Sequence, residues 1–249
     1  MPLTAPSPQN LAQWMLEAFR TQVRVYHRAE LPQAEGCLLV VANHRSFLDA
    51  PLMLWGFQRP VHLVSHHYLA QVPVVSQLIE HLGGFHLGPS RQSRSQLFRL
   101  FRQAAQYLHQ GEHVAIFPEG AELIAQTSSP SQGADFRRGF AHLALRSGIA
   151  HLPIVPVAIV SRQEASGPIF PLPLLRMLDS SEPMFQRDGW HPLVIYQRVE
   201  LHIGVPRRIR PEEIQAYRGG RAAAVTNALA QEMQEAAHQL TLAGNQHPW

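Results

Sequence analysis

Residues 41–49 read VANHRSFLD and place a polar turn between an apolar run and a helical pattern. The apolar run at residues 36–42 is typical of a buried strand, and a helix is predicted to begin near Ser46. A histidine and an aspartate five positions apart cannot share one face of a helix, because five residues turn the chain about 140° past a full revolution. They can meet if His44 lies at the end of the strand and Asp49 lies in the first turn of the helix.

This arrangement would suit a general base. Asp49 could accept a hydrogen bond from one imidazole nitrogen of His44, which would fix the tautomer and leave the other nitrogen free to take a proton. A purely structural interpretation is also open. Ser46 followed three residues later by Asp49 resembles a helix capping box, although Glu or Gln is the usual partner. Asp49 would then only help the helix to start.

The tetrapeptide FPEG at residues 117–120 is a second motif and closes another buried strand, predicted for residues 114–117. Loops at strand ends commonly build the site in an α/β sheet. The proline and glycine that flank Glu119 fix a sharp turn and expose the backbone. Taken alone, the tetrapeptide fits an ordinary turn with a solvated glutamate equally well.

Strands and helices alternate along the rest of the chain. Further strands are predicted at residues 61–65, 152–160 and 193–203, and helices at about residues 11–26, 74–82, 92–109, 136–147 and 221–240. This order predicts a single α/β domain with a largely parallel or mixed central sheet flanked by helices. Residues 167–192 are rich in proline, and we expect this excursion over the domain to lack regular structure.

The composition fits a well-buried domain. Of the 249 residues, 45% are apolar and 16% are charged, which argues against a disordered chain. All 21 basic residues are arginine, and the formal charge of +3 permits contact with anionic lipid without demanding it. The single cysteine, Cys37, excludes a disulfide within the chain and favours a reducing compartment, where a buried and inert thiol is expected.

No apolar stretch approaches the roughly 20 residues that a bilayer-spanning helix needs, and no signal-peptide pattern opens the sequence. The protein is therefore expected not to cross a membrane. Residues 11–26 carry an apolar stripe that includes Trp14. The stripe fits either a face buried in the core or a helix lying in the membrane interface.

Taken together, the motifs resemble those of the glycerolipid acyltransferases, typified by the 1-acylglycerol-3-phosphate acyltransferases. The Asn-His-x4-Asp motif of that family is matched by Asn43, His44 and Asp49, and its Phe-Pro-Glu-Gly motif by residues 117–120. The resemblance extends over roughly residues 24–240. Further matches in the family's order are FRRG at residues 136–139, VPV at residues 155–157 and GVP at residues 204–206.

The resemblance implies a glycerolipid-acyltransferase-like domain at residues 27–249, after an N-terminal amphipathic helix region at residues 1–26. It implies a membrane-associated O-acyltransferase in which His44, oriented by Asp49, deprotonates an acceptor hydroxyl that attacks an acyl thioester. The expected donor is acyl-CoA or an acyl carrier protein thioester, and the expected acceptor is a (phospho)glycerolipid. A cytoplasmic protein, peripheral on the membrane surface, is expected, with no cofactor and no nucleic-acid partner.

Three positions depart from the family's pattern at places where a basic residue is usual. His66 replaces a lysine, and Pro89 and Glu122 replace arginines. The family's basic residues there are expected to hold the acceptor phosphate, and a glutamate would repel an anion. The acceptor is therefore predicted not to carry a phosphate at that place.

Four further residues are candidates for substrate contact: Glu119, Gly120, Arg91 and Arg137. A solvated surface position is the alternative for both arginines. Two alternative functions stay open, an acyltransferase for a neutral, non-phosphorylated hydroxyl acceptor and a non-catalytic lipid-binding relative. No metal site is expected, because the histidines lack a carboxylate or cysteine at ligand spacing. A metal-dependent hydrolase thus has the weakest basis.

Overall fold

A computed structural model describes residues 7–32, 36–65, 84–86, 94–119, 135–171, 190–246 and 249. The helices are α1 (Pro8–Ala18), α2 (Asp49–Phe57), α3 (Arg94–His109), α4 (Gly139–Ser147), α5 (Pro211–Ala216) and α6 (Ala222–Gln246). The strands are β1 (Gln22–Tyr26), β2 (Leu39–Ala42), β3 (Val61–Ser65), β4 (Gly84–His86), β5 (His113–Ile116), β6 (Pro153–Pro171), β7 (Trp190–Ile203) and β8 (Arg207–Arg208). The helix predicted at residues 74–82 lies outside the described residues.

The eight strands of the described residues belong to one sheet in the order β1-β7-β6-β2-β5-β3-β4, with β8 paired to β6. The pairs β1–β7, β6–β2, β2–β5, β5–β3 and β3–β4 are parallel. The pairs β6–β7 and β6–β8 are antiparallel. The predicted α/β domain with a mixed central sheet flanked by helices is thus confirmed.

Strand β2 lies inside the sheet and is covered on both faces. Val40 and Ala42 belong to the apolar cluster that α1 and α2 build on one face. Leu39 and Val41 belong to the cluster on the other face, with α3, α4 and α6. A parallel strand covered on both faces needs a continuous apolar run, which is what the sequence before His44 supplies.

Strand β6 extends beyond the end of β2, its parallel neighbour. It pairs with β2 over Ile154–Val157 and then continues beside β7 as far as Pro171, which lies opposite Trp190. The prediction that residues 167–192 lack regular structure is therefore wrong at both ends of that range. From Gly167 to Pro171, β6 pairs with β7 and with no other described strand. Proline is tolerated there because the outer edge of such a strand has no partner that needs its N–H.

The helix predicted for residues 11–26 is wrong beyond Ala18. Arg20 has a φ of 53°, and the chain then enters β1, which runs parallel to β7. Val23 and Val25 alternate with polar residues in β1, a period-two pattern with β-branched side chains that favours a strand. Residues 22–26 are therefore a strand of the central sheet, and the N-terminal helical region predicted for residues 1–26 does not extend to residue 26.

The other predicted elements are confirmed with small shifts at their ends, except that α6 runs on to Gln246. Cys37, expected to be buried, is only partly buried, and burial raises the pKa of its thiol. None of the helices in the described ranges is long and apolar enough to span a membrane.

Candidate active site

His44 and Asp49 meet as predicted. Strand β2 ends at Ala42 and α2 begins at Asp49, so the intervening turn folds the imidazole back onto the carboxylate. Nδ1 of His44 lies 2.8 Å from Oδ2 of Asp49. The Asp49 side chain is fully buried, whereas the His44 side chain is 20% exposed. A protected carboxylate thus contacts an imidazole that solvent can reach.

Asp49 also organises the turn itself. Its Oδ2 accepts the backbone N–H of Arg45 at 2.7 Å and that of Ser46 at 2.8 Å. The capping box suggested for Ser46 and Asp49 does not form, because the helix has Leu48 as its N-cap and no side-chain cap hydrogen bond. Because Oδ2 already accepts two backbone N–H groups, the imidazole meets it as a donor through Nδ1–H. Nε2 is then the imidazole nitrogen left to take a proton.

The turn is tied to β6 by two side chains. The amide of Asn43 donates to the carbonyl of Ile159 at 2.9 Å and accepts the N–H of Ile159 at 2.7 Å. Arg45 binds Glu164 with two bonds, from Nε at 3.1 Å and from Nη2 at 2.5 Å. Each turn residue lies more than 100 residues from its partner in sequence, so no local pattern could have predicted these contacts.

The Arg45–Glu164 pair is partly shielded from solvent, with about a fifth of each side chain exposed. Burial raises the pKa of Glu164, but the hydrogen bonds from Arg45 and Ser161 outweigh it, and the net pKa is lowered. The hydrogen bond to Glu164 raises the pKa of Arg45 in return. Both groups are therefore charged at neutral pH. The pair links the turn to the two-stranded ribbon that β6 and β7 form beyond the end of β2.

Glu119 lies directly behind His44. Strand β5 pairs in register with β2, Ile116 opposite Val41, so the residues that follow each strand come together. Oε2 of Glu119 accepts the backbone N–H of His44 at 2.9 Å, and the glutamate is only 4% exposed. The alternative of an ordinary turn with a solvated glutamate is therefore wrong.

Burial sets the electrostatics of Glu119. It raises the pKa of this carboxyl to about 7, against the opposing effects of the His44 N–H and of the His44 charge. The nearby carboxylate of Asp49 adds a smaller increase. A carboxyl group with a pKa near 7 changes its charge in the neutral range, immediately beside the imidazole.

Phe117 completes the surroundings of the imidazole. Its ring stacks on that of His44 with centroids 4.3 Å apart and planes inclined by 20°. The stack restricts rotation of the imidazole away from Asp49. The FPEG motif therefore contacts the first motif twice, through the ring of Phe117 and the carboxylate of Glu119.

The remaining predicted site residues are only partly described. The backbone N–H of Arg137 donates to the carbonyl of Pro118 at 2.9 Å, which places the start of α4 against the FPEG motif. Outside the described residues lie Arg91, Gly120 and the three positions that depart from the family's pattern, His66, Pro89 and Glu122. In the part of the chain that is described, no group of three His, Cys, Asp or Glu side chains could hold a metal ion.

Tyr196 was not predicted as part of the site. Its hydroxyl donates to Oδ1 of Asp49 at 2.8 Å, and both side chains are buried. Ser46 also contacts β7, because its hydroxyl donates to the carbonyl of Val194 at 2.6 Å. The period-two pattern at residues 193–203 predicts the strand, but nothing in it distinguishes Tyr196 from an ordinary core residue.

A histidine–aspartate pair at the end of a buried strand in a mixed α/β sheet matches a known family. The family model described as Acyltransferase matches residues 22–160, more than half of the chain. The chain belongs to this acyltransferase family.

Two curated relatives are similar over part of their length. A 1-acyl-sn-glycerol-3-phosphate acyltransferase of Chlamydomonas reinhardtii is 29% identical over 133 residues, which are 53% of this chain and 38% of that protein. A lyso-ornithine lipid O-acyltransferase of Pseudomonas aeruginosa is 29% identical over 163 residues, 64% of this chain and 57% of that protein. The chain thus spans about half the length of the curated relatives it matches.

A solved structure shares the fold. The crystal structure of the 1-acyl-sn-glycerophosphate (LPA) acyltransferase PlsC from Thermotoga maritima aligns with a TM-score of 0.61 at 19% identity. The alignment covers 97% of this chain and 80% of that one. At this identity the likeness shows the fold alone.

Proposed function

We propose that the protein is a membrane-associated O-acyltransferase that moves a fatty acyl group from an acyl thioester to a hydroxyl of a (phospho)glycerolipid-type acceptor. The observation that carries the proposal is the contact between His44 and the buried Asp49 in a chain of the acyltransferase family. A base oriented in this way suits the removal of a proton from a hydroxyl nucleophile.

In the proposed reaction, Nε2 of His44 takes the proton of the acceptor hydroxyl while the hydroxyl oxygen attacks the thioester carbonyl carbon. The carbonyl oxygen becomes negative in the tetrahedral intermediate, which backbone or side-chain donors would stabilise. The intermediate collapses with cleavage of the carbon–sulfur bond, and the imidazolium gives its proton to the departing thiolate. The reaction needs no acyl-enzyme and no cofactor.

Substrate contacts are proposed for Glu119, Gly120, Arg91 and Arg137 on the family resemblance. Two observations support the nearness of Glu119 and Arg137 to the site. Glu119 touches the backbone of His44, and the Arg137 backbone touches Pro118. The donor is proposed to be acyl-CoA or an acyl carrier protein thioester.

Association with a membrane surface is supported by α1. Its core face is formed by Ala12 and Leu16, whereas Trp14 is 57% exposed and Phe19 is 37% exposed. Phe19 packs edge-on against Phe47 in the turn that carries His44, with ring centroids 5.2 Å apart. Phe19, at the end of α1, thus brings an exposed apolar ring to the turn that carries His44, where the lipid acceptor is proposed to present its hydroxyl.

The identity of the acceptor is the open part of the proposal. One relative is named for 1-acyl-sn-glycerol-3-phosphate and the other for a lyso-ornithine lipid, so relatives of this chain are named for different acceptors. The departures at His66, Pro89 and Glu122 favour an acceptor without a phosphate at the family's usual place.

The test is an acyl-transfer assay with purified protein, using acyl-CoA and acyl carrier protein thioesters in parallel. Lysophosphatidic acid, a lyso-ornithine lipid and an uncharged hydroxyl lipid compete as acceptors, and mass spectrometry identifies the product. Release of thiol that requires an acceptor supports the proposed function. A clear preference for lysophosphatidic acid that survives Arg91→Ala and Arg137→Ala would contradict the proposed acceptor class. Lipid binding without thiol release would support the non-catalytic alternative instead.

A further inference from the structure

We infer that Tyr196 is a positioning residue for the histidine–aspartate pair, because its hydroxyl fixes the carboxylate of Asp49 in the orientation that presents Oδ2 to His44. The inference rests on the proposed function for its effect on rate. Tyr196 lies on β7, 147 residues along the chain from Asp49, and reaches Oδ1 at 2.8 Å.

The two oxygens of Asp49 are held very differently. Oδ2 accepts from the His44 ring and from the backbone N–H groups of Arg45 and Ser46. Among the hydrogen bonds of the described residues, Oδ1 has one donor, the hydroxyl of Tyr196. A carboxylate with donors at both ends cannot rotate without breaking bonds. Loss of the hydroxyl would leave a buried oxygen without a donor, which a folded protein avoids by rearrangement.

The hydroxyl of Tyr196 stays protonated and can therefore act as a hydrogen-bond donor. Burial raises the pKa of its phenol well above the usual value, and the carboxylate of Asp49 raises it further. Two more charged groups face the phenol, Glu164 on β6 and Arg45 on the turn, and their effects oppose each other. The hydroxyl is therefore protonated throughout the pH range in which enzymes are assayed.

The backbone around Tyr196 is held in place by neighbouring elements. The hydroxyl of Thr21, between α1 and β1, donates to the Tyr196 carbonyl at 2.8 Å. Ser46 binds the Val194 carbonyl two residues earlier on the same strand. These two contacts connect β7 with the segment before β1 and with the turn after β2. The phenol projects from a fixed strand, as a group that orients another must.

The test compares Tyr196→Phe with Tyr217→Phe as a matched control. The control variant loses the same group, because the Tyr217 hydroxyl contacts His142 at 3.2 Å on the other face of the sheet. The first readout needs no activity: the ¹H–¹⁵N resonance of the His44 Nδ1–H, assigned by its disappearance in His44→Ala. We expect it to shift or broaden in Tyr196→Phe and to be unchanged in Tyr217→Phe.

The second readout is kinetic. We expect kcat of Tyr196→Phe to fall roughly 10- to 100-fold, the effect of one lost hydrogen bond to a charged group, with a smaller change in KM.

A folded Tyr196→Phe variant with the wild-type His44 resonance and the wild-type kcat and KM would overturn the inference. If this variant does not fold, site-specific replacement of Tyr196 by 3-fluorotyrosine keeps the hydroxyl and changes its donor strength. An unchanged His44 resonance would then overturn the inference equally. If the wild-type protein transfers no acyl group but the His44 resonance still shifts in Tyr196→Phe, the proposed function is refuted and the positioning role stands.

Discussion

Oε2 of Glu119 accepts the backbone N–H of His44, so the second sequence motif holds the residue at the centre of the first. The bond joins the ends of two neighbouring parallel strands, β2 and β5. Glu119 therefore has a structural contact in addition to the substrate contact proposed for it. Because burial raises the pKa of Glu119, the stability of the protein should depend on pH in a way that can be measured without substrate.

Glu119→Gln should change how stability depends on pH. The folded protein holds the Glu119 proton up to a pKa of about 7, whereas the ordinary value is 4.5. Between these values the folded state binds more protons than the unfolded state, so this group makes the protein less stable as pH rises through the window. The loss is on the order of 3 kcal/mol, and the glutamine variant should escape it.

Denaturant unfolding of both proteins at pH 5, 6, 7 and 8 measures this difference. The exposed Glu212 provides a control, because Glu212→Gln should follow the wild-type curve. Parallel curves for wild type and Glu119→Gln would show that the Glu119 pKa is not raised by burial.

His44→Ala should remove turnover and keep the fold. General-base catalysis contributes about 10²–10⁴-fold to a rate, and the proposed base is the imidazole that contacts Asp49. His238→Ala is the matched control, since His238 is exposed on α6, far along the chain from the turn. Acyl transfer and the circular dichroism spectrum are measured for both variants. Near-wild-type activity of a folded His44→Ala protein would refute the assignment of the base.

Asn43→Ala should lower both stability and activity. The side chain satisfies the N–H and the carbonyl of Ile159, which is 5% exposed, and alanine would leave both groups without this partner. A loss of roughly 1–3 kcal/mol of unfolding free energy is expected. Asn227→Ala removes an exposed amide that contacts Arg138 and should cost much less. Equal losses in the two variants would contradict the bridging role of Asn43.

Trp14→Glu should weaken binding to vesicles without destabilising the fold. The indole is largely exposed, and transfer of such a side chain into an apolar environment strengthens binding by roughly tenfold or more. Leu242→Glu, which puts the same charge at an exposed apolar residue of α6, is the control. Flotation with neutral and with anionic vesicles measures the binding. If the wild-type protein floats with neither, the membrane association proposed here is wrong.

The meeting of His44 and Asp49 could be predicted because both residues lie within one strand–turn–helix segment. Local periodicity also predicted β3, β5, α3 and α4. Strand β1 was missed because the apolar stripe of α1 runs without a break into the alternating valines that follow it. A tertiary pairing with β7 decides between the two structures, and a single sequence does not display it.

The partners of the turn were unpredictable for a related reason. Tyr196, Glu164 and Ile159 reach it from β6 and β7, and each would look like an ordinary strand residue in isolation. Their function depends on which face of the ribbon meets the turn. That face is set by the antiparallel pairing of β6 with β7, which continues into the proline-rich range where no regular structure was predicted.

The same prolines have a consequence for self-association. A two-stranded ribbon exposes backbone N–H and carbonyl groups along its outer edges, and such edges readily recruit strands from other molecules. In the described ribbon Pro168 lies opposite Pro192, and Pro171 lies opposite Trp190. Proline has no N–H to offer an incoming strand. The residues that made this segment look irregular in sequence therefore protect it from edge-to-edge aggregation.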